Sequence, residues 1–181
     1  MKPGRGKSKG NRFENLVART LSRWLKPGDA TQLVPSRLSG GWKDAQWRHA
    51  GDLAPNGPEG EEFRRLFLIE CKHQNKDLLW MLYTSTPKQQ NIQGWWQKLH
   101  TEAKELGNIP MLVFRQNTRP ILVVLPRWLA RQIHKAVGGV MLEYSSRYIE
   151  EIPISCGIIP LQTLTALLPA KLYDLLPPKE K

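Results

Sequence analysis

The pattern of apolar and polar positions predicts two long amphipathic helices. In residues 12–25, apolar side chains recur every three or four positions, which gives one stripe along a helix, and Pro27 and Gly28 end the pattern. A second stripe of the same spacing runs through residues 87–106 and is followed by Gly107, a residue type that often ends helices. Each helix therefore has one face suited to packing against a sheet.

Short apolar runs rich in β-forming residues predict the strands of that sheet. They are residues 31–37, 47–53, 66–72, 109–114 and 120–125. The polar connection between the last two runs suits a hairpin. Residues 55–60 are dense in proline, glycine and asparagine, so they predict a chain reversal and no regular element. The second and third runs are accordingly expected to return on each other as an antiparallel hairpin.

The rest of the chain predicts a C-terminal part with more helix than strand. Residues 127–136 have the spacing of a helix, residues 140–159 are irregular with β-like pieces near 143–148, and residues 160–168 suit a closing helix.

Together these elements predict an α/β fold with a mixed, largely antiparallel central sheet flanked by helices. We expect three parts along the chain: a flexible basic arm over residues 1–11, a core domain over residues 12–126, and a C-terminal helical appendage over residues 127–181.

Composition and charge narrow the possible partners. The chain has 181 residues and a net charge of +11, which favours a polyanionic partner bound with a salt-sensitive affinity. No apolar run approaches the ~20 residues of a membrane span, and the amino terminus lacks the apolar segment of a secretory signal. The two cysteines, Cys71 and Cys156, are too few for a disulfide framework or a cysteine zinc site. We therefore expect a soluble cytoplasmic protein.

The strongest chemical signal is a pair of charged residues at the end of a core strand. Glu70, Cys71 and Lys72 follow an apolar run, and the alternation of strand side chains puts Glu70 and Lys72 on one face. Asp52 lies 18 residues before Glu70, and the expected hairpin can bring the two together. Carboxylate oxygens, with the backbone carbonyl of Cys71, suit Mg²⁺ or Mn²⁺, and an ammonium can orient a metal-bound water. This set meets the needs of phosphodiester hydrolysis, which makes nucleic acid the expected polyanion.

These residues resemble the signature of the PD-(D/E)XK nuclease superfamily, an Asp at one strand end and a Glu-x-Lys on the next strand. Asp52, the segment 70–72 and the helical Glu14 carry the resemblance, which covers residues 11–126. Gly51 stands where the superfamily name has a proline.

Within the superfamily, the order of helix glutamate, serine loop, Asp and Glu-x-Lys is most similar to the archaeal and phage Holliday junction resolvases. The loop is Ser39-Gly40. A loop at this place in those enzymes carries a serine near the scissile phosphate, so Ser39 is the residue that the resemblance transfers to the site, with Ser36 as the second choice.

The resemblance implies a restriction-endonuclease-like fold and a metal-dependent nuclease. Asp52 and Glu70, with the backbone carbonyl of Cys71, would hold the metal ion, and Glu14 would bind it directly or through water. Lys72 would position the attacking water or stabilise the transition state. Another candidate for a polar contact in the site is Gln93 of the second long helix.

The sequence is compatible with three functions. The first is a structure-selective Holliday junction resolvase, which would act as a homodimer because two symmetric strands must be cut, and in the host cytoplasm if a phage encodes it. The second is a nuclease of the same superfamily with another DNA target, such as restriction, repair or phage DNA processing. The third is a non-catalytic nucleic-acid-binding protein with this fold, against which the intact Asp52, Glu70 and Lys72 argue. Candidates for the dimer surface are residues 80–83 with Trp95 or Trp96.

Overall fold

The computed structural model describes residues 5–36, 50–75, 92–146 and 154–177. Within these ranges the chain forms six helices and seven strands. The helices are α1 (Arg5–Leu25), α2 (Pro58–Leu66), α3 (Ile92–Leu106), α4 (Arg127–Val137), α5 (Leu161–Ala166) and α6 (Pro169–Asp174). The strands are β1 (Leu33–Pro35), β2 (Leu53–Pro55), β3 (Phe67–Gln74), β4 (Ile109–Gln116), β5 (Ile121–Pro126), β6 (Leu142–Ser146) and β7 (Ile154–Pro160). Of the helices in these ranges, none is long and apolar enough to cross a membrane.

Five strands form one mixed sheet in the order β3-β4-β5-β7-β6. β3 and β4 are parallel, and α3 lies in the crossover connection that parallel strands require. The other three neighbouring pairs are antiparallel, among them the predicted hairpin of β4 and β5. The predicted α/β fold with a mixed, largely antiparallel sheet is confirmed.

Alternate residues of β3 face two separate hydrophobic clusters. Ile69 and Cys71 pack in one cluster with Val17 of α1, and α4 and α5 contribute to the same cluster. Leu68 packs in the other cluster with Trp96 of α3. The two predicted helices therefore pack on opposite faces of the sheet, each with most of its apolar stripe buried; Leu16 of α1 is an exception and is 41% exposed.

β2 pairs with β1 and not with β3. The two short strands form a separate antiparallel sheet in which Leu33 lies opposite Pro55. The predicted hairpin between residues 47–53 and 66–72 is therefore wrong. Its two segments nevertheless meet, because the backbone N–H of Asp52 donates a 2.8 Å hydrogen bond to the carbonyl of Ile69.

α2 takes the place of the chain reversal predicted for residues 55–60. Pro58 lies in its first turn, where a missing N–H is not needed and the fixed φ of proline suits a helix. Glu59 and Glu61 lie in the same turn and interact favourably with the helix dipole. The residues that are typical of a turn therefore begin a helix here, and this helix carries the chain from β2 to β3.

The chain differs from the expected boundaries on both sides of the core. α1 begins at Arg5, so residues 5–11 of the expected flexible arm belong to a helix. Residues 127–177, which the sequence assigned to a helical appendage, include β6 and β7. β7 pairs with β5 from Leu122 to Pro126, so these residues extend the same five-stranded sheet.

Candidate active site

Glu70 and Lys72 project from the same side of β3. Leu68 of this strand packs beneath α3, and Glu70 and Lys72 follow it at intervals of two residues. The ammonium of Lys72 donates a hydrogen bond to Oε1 of Glu70. Both side chains line a groove of ≈ 400 Å³ between β3 and α3. The other residues that line it are Gly94, Trp95, Lys98, Leu99 and Glu102 of α3.

Asp52 reaches this pair along the edge of β3 that faces away from β4. Its backbone N–H donates a 2.8 Å hydrogen bond to the carbonyl of Ile69, and its Oδ2 accepts a 2.7 Å hydrogen bond from the N–H of Cys71. At the edge of a sheet, backbone N–H and C=O groups lack hydrogen-bond partners. Asp52 supplies partners for those of Ile69 and Cys71, on either side of Glu70. Only 8% of Asp52 is exposed. The structure therefore brings Asp52 beside Glu70 and Lys72, by a route other than the predicted hairpin.

Gly51 makes this close approach possible. Its φ is +75°, in the left-handed region, and a Cβ at this position would stand 2.4 Å from the carbonyl oxygen of Ile69. Proline has φ fixed at about −65° and cannot adopt this conformation. The departure from the superfamily name at this position therefore has a steric cause.

Arg64 of α2 holds the segment that contains Asp52. Its Nε donates a 2.8 Å hydrogen bond to the carbonyl of Leu53, and its Nη2 donates a 2.6 Å hydrogen bond to the carbonyl of Ala50. These two carbonyls flank Gly51 and Asp52 in the sequence. The side chain is fully buried, and burial lowers its pKa to about 10, so it is still charged at neutral pH. Arg64 is a positioning residue for the Asp52 segment.

The sequence reasoning missed Arg64 because it did not predict α2. Once a helix is drawn from Pro58, Gly60, Phe63 and Arg64 fall on one stripe, and all three are buried. An arginine on an otherwise apolar stripe is the signal that could have found it, since arginine is almost never fully buried without partners.

The loop serine taken from the resemblance lies outside the described residues. This is Ser39, whereas its alternative Ser36 is described: Ser36 is buried and its N–H donates a 2.8 Å hydrogen bond to the carbonyl of Asp52. The backbone of Ser36 therefore supports the Asp52 segment.

The side chain of Gln93 of α3 contacts β6. It is 2% exposed, and its amide nitrogen donates a hydrogen bond to the hydroxyl of Tyr144 on β6. β6 is the strand farthest from β3 in the sheet. The structure therefore does not bring this amide nitrogen to Glu70.

Burial and neighbouring carboxylates raise the pKa of Asp52 to about 7. Loss of solvation is the largest cause, and the charges of Glu70 and Glu14 act in the same direction, against the hydrogen bond from Cys71 and the charge of Lys72. The pKa of Glu14 on α1 is also raised, first by burial. Lys72 lowers it and Glu70 raises it. Glu14 and Asp52 therefore lie within electrostatic range of Glu70 and Lys72, and a divalent cation would relieve the repulsion among the carboxylates.

Lys72 stays protonated in this site. Burial alone would lower the pKa of its ammonium, but the charge of Glu70, the hydrogen bond to Glu70 and the charge of Asp52 outweigh burial and raise the pKa. Lys72 can therefore offset negative charge, but it is not a base at neutral pH. The buried Cys71 thiol has a pKa well above its usual range, again mainly through burial, so it stays neutral and takes no part as a thiolate.

The oxygen donors fit a hard divalent cation. Among the residues that the structure describes, no three Asp, Glu, His or Cys side chains form a complete metal site. Mg²⁺ is commonly held by one or two carboxylates, with water and substrate phosphate as its other ligands, and Asp52 and Glu70 supply such a pair. The N–H and C=O of a strand residue point to the same side, so the carbonyl of Cys71 faces the edge where its N–H meets Asp52.

Comparison with known proteins gives one family. A family model described as "Phage putative PDDEXK endonuclease" matches residues 5–156, which is more than half of the chain. The matched range includes Glu14, Asp52 and the segment 70–72. No curated protein and no solved structure matches the chain.

Proposed function

We propose that this chain, which belongs to the phage PDDEXK endonuclease family whose model it matches, is a metal-dependent endonuclease that hydrolyses phosphodiester bonds of branched DNA. The family match confirms the predicted superfamily. Membership of the family makes the chain a nuclease with a DNA substrate. The choice of a four-way junction, the action as a homodimer and the use of Mg²⁺ or Mn²⁺ are our proposal.

The observation that carries the proposal is the convergence of Asp52 on the segment 70–72. A carboxylate fixed by a 2.7 Å hydrogen bond to the N–H of Cys71 lies within electrostatic range of Glu70 and Lys72. Burial keeps these groups partly out of water, where a charged donor stabilises developing charge more strongly than it does in solvent. This arrangement supports phosphodiester hydrolysis better than nucleic-acid binding alone, because a binding surface has no need for buried carboxylates.

Each residue has a separate role in the proposed reaction. Asp52, Glu70 and the carbonyl of Cys71 would hold the divalent cation, which when bound polarises the scissile phosphate and acidifies a water molecule. Lys72, kept protonated by its carboxylate neighbours, offsets the negative charge that develops on the phosphate. Glu14, whose pKa responds to both Lys72 and Glu70, accepts a hydrogen bond from the attacking water and so orients it.

Action on a four-way junction is supported by charge, and it implies a dimer. The net charge of +11 suits a substrate with four converging phosphate backbones. Two symmetric cuts call for two copies of the site. Of the proposed dimer surface, residues 80–83 lie outside the described residues, and Trp96 is 1% exposed and belongs to the core beneath α3. Trp96 is therefore not part of the proposed dimer surface. Trp95, which lines the groove of Glu70, is the candidate that remains among the described residues.

Cleavage of a four-way junction and of a linear duplex of equal length tests the proposal. With Mg²⁺ or Mn²⁺ we expect paired cuts in the junction at a rate at least tenfold above that on the duplex, and sedimentation should give a dimer. A monomer that cuts both substrates at equal rates would instead be a nuclease with another DNA target, with the same site at work. Failure to cut either substrate with any divalent cation would leave only nucleic-acid binding.

A further inference from the structure

A second groove, of ≈ 520 Å³, lies apart from the groove of Glu70 and Lys72. It is found where β4 begins, β5 ends and α4 begins, between these elements and the C-terminal half of α3. The two grooves share α3 but none of their lining residues. Lys98 lines the first groove and Lys104 the second, and these positions differ by about 9 Å along the helix axis. At about 3.6 residues per turn, the α3 residues that line the two grooves fall on opposite sides of the helix.

The lining of this second groove combines positive charge, an apolar floor and an exposed indole. Lys104 and Arg127 supply the charge, and none of the described residues that line the groove is acidic. Neither of these two side chains forms an ion pair with a described residue. Trp128 is 40% exposed. The apolar floor consists of Ile109, Pro110 and Pro126.

The charge of Arg127 is available to a ligand, although an acid lies within electrostatic range. That acid is Glu143 of β6. Its carboxylate accepts hydrogen bonds of 2.5 Å from Nε and 2.7 Å from Nη2 of Arg131. Arg131 therefore neutralises Glu143, and Arg127 keeps most of its attraction for an anion.

We propose that this groove binds an unpaired strand of the DNA substrate on the other side of α3 from the cleavage site, with phosphates at Lys104 and Arg127 and a base stacked on Trp128. Single-stranded nucleic acid alternates charged phosphates with apolar base faces, and proteins bind it in cationic grooves that carry aromatic side chains. A duplex conceals its base faces, so it would make no use of the apolar floor or the indole.

This inference rests on the proposed function and adds a substrate feature to it. A branched substrate with an unpaired flank would occupy both grooves at once, with its scissile phosphate at Glu70 and the flank at Trp128. A fully paired linear duplex would occupy only the first groove. Preference for branched DNA that carries an unpaired flank then comes from the second groove and needs no base-specific contact.

Fluorescence anisotropy with two labelled DNA molecules in EDTA tests the inference without cleavage. One is a blunt duplex, and the other is the same duplex with a single-stranded extension. We expect the wild type to bind the extended duplex about tenfold more tightly, because stacking of a single base changes affinity by that order. Trp128→Ala should reduce this advantage to about twofold or less. Arg127→Gln should lower the slope of log affinity against log salt by about 1 on the extended duplex.

Lys135→Gln is the matched control, because it removes one positive charge from an exposed position of the same helix that does not line the groove. It should leave the preference for the extension unchanged. Equal effects of Arg127→Gln and Lys135→Gln would overturn the inference, since net charge alone would then govern binding. Equal affinity of the wild type for both DNA molecules would also overturn it, while cleavage with a divalent cation would show that the proposed nuclease stands. No binding to either DNA would contradict the proposed function as well.

Discussion

The backbone N–H of Cys71 donates a 2.7 Å hydrogen bond to Oδ2 of Asp52. This contact ties one proposed metal-binding carboxylate to the strand that carries the other, Glu70, so both are positioned by the backbone of β3. A second contact, from the N–H of Asp52 to the carbonyl of Ile69, fixes the same segment one residue on the other side of Glu70. The geometry of the site therefore depends on how closely residues 50–53 approach this edge.

Asp52→Asn should stabilise the metal-free protein at pH 8. The native state holds a proton on Asp52 up to a pKa of about 7, whereas the ordinary value is 3.8. Between these values the native state binds more protons than the unfolded chain, so stability is lost as pH rises through this window. Asparagine still accepts the hydrogen bond from Cys71 and carries no charge. We expect a gain on the order of 2 kcal/mol at pH 8 and almost none at pH 4, measured by urea unfolding in EDTA.

Divalent cation provides the control for this substitution. A cation that binds only the native state raises its stability by mass action, so Mg²⁺ or Mn²⁺ at pH 8 should raise the Tm of the wild type and not that of Asp52→Asn. If the wild type and the variant lose stability equally between pH 5 and pH 8, the raised pKa of Asp52 is wrong.

Gly51→Ala should cost about 3 kcal/mol or more and abolish cleavage. The positive φ accounts for about 1 kcal/mol of this, and the remainder comes from a Cβ placed 2.4 Å from the carbonyl of Ile69, which must push Asp52 away from β3. Gly28→Ala is the matched control, because its φ is +88° and a Cβ there meets no atom within 4 Å. Thermal denaturation should show about 1 kcal/mol for Gly28→Ala with full activity. Similar losses in both variants would mean that conformation, and not contact with β3, is what requires glycine at position 51.

Arg64→Met should weaken cation binding as well as stability. Loss of the guanidinium leaves the buried carbonyls of Ala50 and Leu53 without these donors, which costs about 2–4 kcal/mol. The same carbonyls flank Asp52, so the folded variant should need a roughly tenfold higher cation concentration for half-maximal cleavage. This corresponds to a loss of about 1.4 kcal/mol in the free energy of cation binding. KM for DNA should change little. Arg64→Lys should restore part of the loss.

The neighbouring arginine offers a control for that experiment. Arg65→Met removes the same charge from the next position of α2, but the side chain is exposed and pairs with Glu61 across one helical turn. Its stability should stay within about 0.5 kcal/mol of the wild type, with unchanged cation dependence. If Arg64→Met loses stability and keeps the wild-type cation dependence, Arg64 supports the fold and does not position the site.

The part of the site that depends on local pattern was predictable from the sequence. Glu70 and Lys72 share a face because strand side chains alternate, and that rule needs no knowledge of the partner strand. The stripes of α1 and α3 were predictable for the same reason, since helical periodicity is read within one segment. The superfamily followed from the residue order, and the family match confirms it.

The parts that depend on tertiary pairing were not predictable in the same way. Pro58 suits both a turn and the start of a helix. Packing of Phe63 and Arg64 against the rest of the fold selects the helix, and the local sequence pattern contains no information on that packing. β7 pairs with β5 although 27 residues separate the end of one from the start of the other. The sequence showed β-like pieces near residues 143–148, but nothing in this local pattern indicated that residues 154–160 pair with β5 and extend the sheet. The sequence predicted that Asp52 lies near Glu70 of β3, but it did not predict that α2 connects the two segments.

Cleavage of a labelled four-way junction by the wild type and by Glu70→Gln tests the central claim most directly. With Mg²⁺ or Mn²⁺ the wild type should cut, and in EDTA it should not. Glu70→Gln should cut at least about 1000-fold more slowly and bind the junction within about twofold of the wild type, since affinity comes mainly from phosphate contacts elsewhere. Glu105→Gln, the same change at an exposed position of α3, should retain full activity. Cleavage by Glu70→Gln near the wild-type rate, or by the wild type in EDTA, would contradict the account.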